Sequence, residues 1–136
     1  MGSKTPVTST TSPCSCVYID ASPFSYPWFA GIARYTVRLS LALSAHVPVR
    51  FFDGVQELVL PRGPNWSQDQ DLEDWGRQIW RGQRRPLGTP PADSIGVYCA
   101  PNLRHRIFLH EASSLHDLCP IVVPWAFPEG SRDYFG

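Results

Sequence analysis

The sequence predicts an α/β protein, an open and mostly parallel sheet with flanking helices, and three observations carry that prediction. Val17-Tyr18-Ile19-Asp20 is a short apolar run ending in an acid, separated by a loop from Gly31, where a helical pattern begins. Two further apolar runs of strand length follow, at 49–52 and 95–99. Between them, residues 67–80 carry a second helical pattern. With 136 residues the chain amounts to one domain at most, long enough to bury a real core.

Each element follows in order. Residues 1–15 are rich in Ser, Thr and Pro and read as a disordered tail, leaving 16–136 as the folded part. In 31–43 the residues Ile32, Tyr35, Leu39 and Leu43 form one stripe that Val37 and Leu41 widen. Arg34 and Arg38, four apart, share the polar side. His46 and Pro48 close that helix, and Val49-Arg50-Phe51-Phe52 is a strand. Asp53-Gly54 is a turn signal, with 56–60 as a returning hairpin arm. Ser67 with Gln70 suggests a capping box for a second helix, whose stripe is Leu72, Trp75, Ile79 and Trp80. Acids at 69, 71, 73 and 74 open it, and Arg77, Arg81, Arg84 and Arg85 close it. That charge order complements the helix dipole; the alternative for the arginines is a nucleic-acid or lipid-phosphate contact. Residues 86–91 are a loop, and 95–99 form the next strand. Weaker strand signals lie at 106–109 and 112–115.

Charge and motifs narrow the function. Twelve basic residues balance 12 acidic ones, which argues against general nucleic-acid binding. No run is long enough to cross a bilayer, no secretory signal is visible, and Pro6 spoils a myristoylation motif. Cytoplasm is therefore the expected compartment, and Cys14, Cys16, Cys99 and Cys119 are expected to be reduced thiols. No metal is expected. His110-Glu111 lacks a second histidine at 114, and Cys14-Ser15-Cys16 has the wrong spacing for a zinc knuckle. No dinucleotide glycine fingerprint, Walker loop or Gly-x-Ser-x-Gly elbow occurs, which disfavours an α/β oxidoreductase.

The loop from Asp20 to Gly31 is longer than such connections usually are, which suggests a role beyond joining. Gly31 opens a helix whose first amides are donors for a phosphate or carboxylate. Phe24, Tyr26, Trp28 and Phe29 crowd the loop. They either pack under it or present a face to a sugar or lipid. His116-Asp117 places an imidazole and a carboxylate after a strand signal. Neighbours on a strand point apart, so one would face a cleft and the other tie down the loop.

These blocks together resemble one family. Gly31-Ile32-Ala33-Arg34-Tyr35 after an acid-ending strand is similar to the "GIGRY"-like start of retaining GT-B glycosyltransferases of family 4. Tyr98-Cys99-Ala100-Pro101-Asn102 resembles their "H-x-P-N" strand end. Leu115-His116-Asp117-Leu118-Cys119-Pro120, followed by Pro124-Trp125-Ala126-Phe127-Pro128, resembles their "HDL-x-P…P-x-x-FP" block.

The resemblance implies the N-terminal, acceptor-side half of a GT-B fold, here an incomplete Rossmann-like sheet, with the active site in a cleft facing a second lobe. It implies no cofactor: a nucleotide sugar would be the donor substrate and a glycan or lipid-linked molecule the acceptor. Gly31, Ile32 and Arg34 would lie near the donor diphosphate, and His116 would reach the donor sugar, with Asp117 supporting its loop. Asp20 and Ser22 would border the acceptor, and Asn102 would close the strand-end block. A cytoplasmic place at the inner membrane face, by peripheral contact, would suit such an enzyme.

Two departures stand out. Ala33 replaces the second glycine, putting a methyl where a ligand would approach, and no glutamate pair has the seven-residue spacing of the donor lobe. That lobe is expected to be missing here, which would make the chain a fragment or a split subunit, inactive alone. The competing expectation is a non-catalytic binding or scaffold module that keeps the half-fold.

Overall fold

The structure, a computed structural model, describes residues 14–29, 31–60, 71–100 and 106–114. Among the described residues six strands form one mixed sheet: β1 (Val17–Asp20), β2 (Val49–Asp53), β3 (Gln56–Val59), β4 (Gln83–Pro86), β5 (Ile95–Tyr98) and β6 (His110–Ser113). Their spatial order is β4-β3-β2-β1-β5-β6. β1 pairs in parallel with β2 and with β5, and β5 in parallel with β6. The β2–β3 and β3–β4 pairings are antiparallel. Two helices, α1 (Gly31–Ser44) and α2 (Leu72–Trp80), pack against each other on one face of the sheet.

Central strands need no polar face, and β1 is buried at all four positions. Its Val17 and Ile19 join Phe51, Leu58 and Cys99 in the core beneath the helices. On the opposite face Tyr18, Phe52 and Tyr98 pack with Phe108. Phe108 lies so close over Gly96 that any side chain there would collide with its ring. The turn that delivers Phe108 is organised by Glu111, whose Oε1 accepts from the amides of Ile107 (2.8 Å) and Phe108 (3.0 Å). Further along that face Glu57, nearly buried, pairs with Arg85 at 2.7 Å and Arg50 at 3.5 Å.

Several expectations need correction. The stripe of α1 that faces the core is Ala33, Thr36, Val37 and Ser40, while Tyr35 is 41% exposed and Ile32, Leu39, Leu41 and Leu43 pack only at the margins. The buried face of this helix is thus built mostly from small side chains. The buried hydroxyls cost little because Thr36 donates to the Ile32 carbonyl and Ser40 to that of Thr36, each at 2.7 Å. Ala33 is 1% exposed and points into the core, so its methyl does not occupy ligand space.

α2 begins at Leu72 with Asp71 as its cap, the Asp71 carboxylate accepting from the Glu73 amide; Ser67 and Gln70 lie outside the described residues. Arg84 and Arg85 belong to edge strand β4, not to the end of α2. The last strand signals also shift. Residues 106–109 are a turn, and β6 is the polar stretch His110–Ser113.

Candidate functional site

In a parallel sheet the strand-to-helix loops emerge at the carboxyl edge, and the chain reverses its direction of travel across this sheet between β1 and β5. β1 leads through α1 to β2 on one side; β5 and then β6 fill the other. Loops leaving neighbouring strands in opposite directions open a crevice, so the ends of β1 and β5 are the place to look for a ligand.

Asp20 closes β1 there. Both its oxygens are held by the next turn: Ser22 donates its amide to Oδ1 (3.2 Å) and its hydroxyl to Oδ2 (2.6 Å). At 8% exposure, burial pushes the Asp20 carboxyl above its ordinary value, and the Asp53 charge at the end of β2 adds to that rise. The Ser22 hydrogen bonds oppose it. Cys99, just past β5, is fully buried and in hydrogen-bond contact with Thr36 of α1. Burial pushes its thiol up, the Thr36 hydrogen bond opposes this, and the Asp20 charge adds to the rise. Thr36 and Cys99 thus tie α1 to the strand ends beside Asp20. A second tie lies one turn into α1, where the Tyr35 hydroxyl meets Ser114 Oγ at 3.3 Å. Ser114 follows β6, and its amide bonds the Tyr98 carbonyl at the end of β5 (2.8 Å).

The predicted site residues therefore divide. Asp20 and Ser22 are brought together, and Gly31, Ile32 and Arg34 form the first turn of α1 at the same edge. Nothing lies within 4 Å of where a Gly31 side chain would begin, and no acid occupies that turn. Arg34 is exposed, 6.0 Å from the Phe29 ring, and has no ion-pair partner among the described residues. Asn102, His116 and Asp117 lie outside the described residues.

No protein-family model, curated protein or solved structure matched the chain in comparison with known proteins. The site must be judged on its own chemistry.

That chemistry includes a residue whose role the sequence did not disclose. Arg77 of α2 does not serve chiefly as a dipole partner. Its Nη1 donates to the carbonyls of Phe24 (2.8 Å) and Tyr26 (2.6 Å), and its Nη2 to that of Pro27 (3.0 Å). One guanidinium thus braces the loop between β1 and α1, and its Nη2 lies 3.7 Å from the Glu73 carboxylate. Only a fold that brings α2 beside this loop reveals the arrangement. Thr36, Cys99, Tyr35 and Ser114 were missed likewise, because contacts between residues 63 and 79 positions apart leave no local pattern.

The four loop aromatics split between the two expectations. Phe24 is fully buried and Phe29 packs beneath the loop, their rings 6.2 Å apart, whereas Tyr26 and Trp28 are turned outward.

A shallow depression of about 400 Å³ lies elsewhere, lined by Cys14, Ala92, Asp93, Ile95 and His110 at the amino ends of β1, β5 and β6. It is at the opposite edge from Asp20. Among the described residues no group of three or more His, Cys, Asp or Glu is placed to hold a metal, and no helix is long and apolar enough to cross a membrane.

Proposed function

We propose that this chain forms the acceptor-side half of a retaining glycosyltransferase, which moves a sugar from a nucleotide-sugar donor to a glycan or lipid-linked acceptor. The observation that supports it most is the carboxyl edge itself: a nearly buried acid–hydroxyl pair, Asp20 and Ser22, beside a helix start with open space at Gly31. On this reading the Gly31 and Ile32 amides and the Arg34 guanidinium offset the negative charge that gathers on a departing nucleoside diphosphate. Asp20 accepts a hydrogen bond from the acceptor hydroxyl, its raised proton affinity making it a better acceptor than an exposed carboxylate. Ser22 keeps the carboxylate aimed.

His116 and Asp117, together with Asn102, complete the donor-sugar side. The described chain reaches the same edge at Ser114, two residues before the imidazole. A second lobe supplies the nucleotide and sugar contacts. A cytoplasmic location at the inner membrane face is part of the same proposal.

The test is a ladder of ligands measured by equilibrium dialysis. UDP or GDP is expected to bind with a dissociation constant on the order of 1 mM, the monophosphate more weakly and the nucleoside not measurably, because only phosphate charge is recognised by this half. Arg34→Gln is expected to weaken diphosphate binding by about two- to fivefold. Equal affinity for nucleoside and diphosphate would overturn the proposal, and micromolar binding would overturn the division between lobes. In the assembled enzyme His116→Ala is expected to lower kcat by about 100-fold through lost positioning; unchanged turnover would remove His116 from the mechanism.

A further inference from the structure

Trp28 is 70% exposed, the most exposed aromatic ring among the described residues, and it stands in the loop that joins Asp20 to α1. A lone exposed apolar side chain is ordinarily uninformative. This one differs in how its loop is built. Arg77 holds three carbonyls that lead up to Trp28, those of Phe24, Tyr26 and Pro27, and the Phe29 ring just after Trp28 lies 5.9 Å from that guanidinium. Beneath, α2 comes so close at Gly76 that an added Cβ would sit 2.5 Å from the Phe29 ring. The loop is thus braced from below by α2 while its indole is held out to solvent. Brace and display together are what a stacking surface requires, since a rigid ring loses little freedom when a ligand lies on it.

We infer that Trp28 is a carbohydrate platform, on which a pyranose ring of the acceptor stacks while its hydroxyl reaches Asp20. The inference rests on the transferase reading and deepens it, committing the acceptor to a glycan. The surroundings favour a sugar over a bilayer. The large apolar side chains exposed on this loop, Tyr26 and Trp28, are both aromatic and carry polar tips. Among the described residues, the exposed large aliphatic side chains, Val55 and Leu109, sit on other loops and not beside the indole. The same loop carries the Ser25 hydroxyl, which donates to the Ser22 carbonyl and keeps its lone pairs for a sugar hydroxyl, and the Arg34 guanidinium lies 6.0 Å from the ring of Phe29, the next residue after Trp28.

The experiment applies the 136-residue chain to an array of linear gluco-, galacto- and manno-oligosaccharides and their N-acetylated forms, with Trp28→Ala and Trp28→Phe as variants. The expected result is retention of at least one oligosaccharide class, weakened about tenfold by Trp28→Ala and far less by Trp28→Phe, which keeps an aromatic face. Equal retention by Trp28→Ala, or no retained glycan at all, would overturn the inference. So would binding to phosphatidylglycerol vesicles with a Trp28-dependent fluorescence shift and no glycan retention, which would make the ring a membrane contact. UDP binding read on the same samples separates the two proposals. Glycan retention through Trp28 without diphosphate binding keeps the platform and removes the transferase reading; diphosphate binding without glycan retention does the reverse.

Discussion

Gly76→Ala sets two opposing effects against each other. Gly76 lies inside α2, where replacing glycine by alanine ordinarily stabilises a helix by about 1 kcal/mol. Here the new methyl carbon would stand 2.5 and 2.8 Å from two atoms of the Phe29 ring and 3.0 Å from Phe24, which is fully buried. Forcing a methyl into a packed interface costs about 1–3 kcal/mol, and two rings must give way at once, which places this site in the upper part of that range. The net expectation is a loss of about 1–2 kcal/mol, equivalent to a thermal midpoint lower by roughly 4–8 °C. Circular dichroism melts of Gly76→Ala, Phe29→Leu and the double variant measure it. The alanine should cost about 1 kcal/mol less once the ring is gone. A higher midpoint for Gly76→Ala, or the same cost in both backgrounds, would show that α2 does not press on the loop.

Other outcomes follow from the same contacts. Asp20 has a raised proton affinity in the fold, so its favourable contribution is complete below the ordinary carboxylate pKa and is lost as pH rises through the raised value. Asp20→Asn should therefore be more stable than the parent at pH 7 in urea denaturation, with the gain shrinking toward pH 4; a constant difference across pH would refute the burial argument. Asp71→Ala removes the oxygen that accepts the Glu73 amide at 3.1 Å and should cost about 1 kcal/mol of unfolding free energy by the same assay. No change would mean that another group caps α2.

The parts of the fold that bury apolar surface were legible, and the parts that do not were hidden. Val17–Asp20, Val49–Asp53 and Ile95–Tyr98 read as strands because they are apolar, and the hairpin from β2 to β3 read from Asp53-Gly54, whose glycine takes φ 57°. β4 and β6 are exposed at every position. Edge strands are held by main-chain pairing, and charge or proline on them discourages further association, so Gln83-Arg84-Arg85-Pro86 carried no strand pattern. Phe108 misled because an apolar residue delivered from a turn looks, in sequence, like one in a strand.

For α1 the large residues drew attention to the wrong stripe. The face that is buried carries small residues, Ala33, Thr36 and Ser40, and the two hydroxyls bond within the helix. At the carboxyl edge, Asp20 and the Gly31 turn were legible as a strand-to-helix junction, whereas Ser22 was named only through the family resemblance. The Arg77 brace was not legible, because a guanidinium reaching carbonyls 50 to 53 residues earlier obeys no local spacing rule.

If a nucleoside diphosphate rests at the carboxyl edge, on the first turn of α1 beside Asp20, its binding must perturb the backbone there before anywhere else. Amide correlation spectra recorded during titration with UDP and GDP test it most directly. The expected shifts centre on Ser22, Gly31, Ile32 and Arg34. Shifts confined to Asp93, Ile95 and His110 around the depression at the opposite edge, or none anywhere, would contradict it.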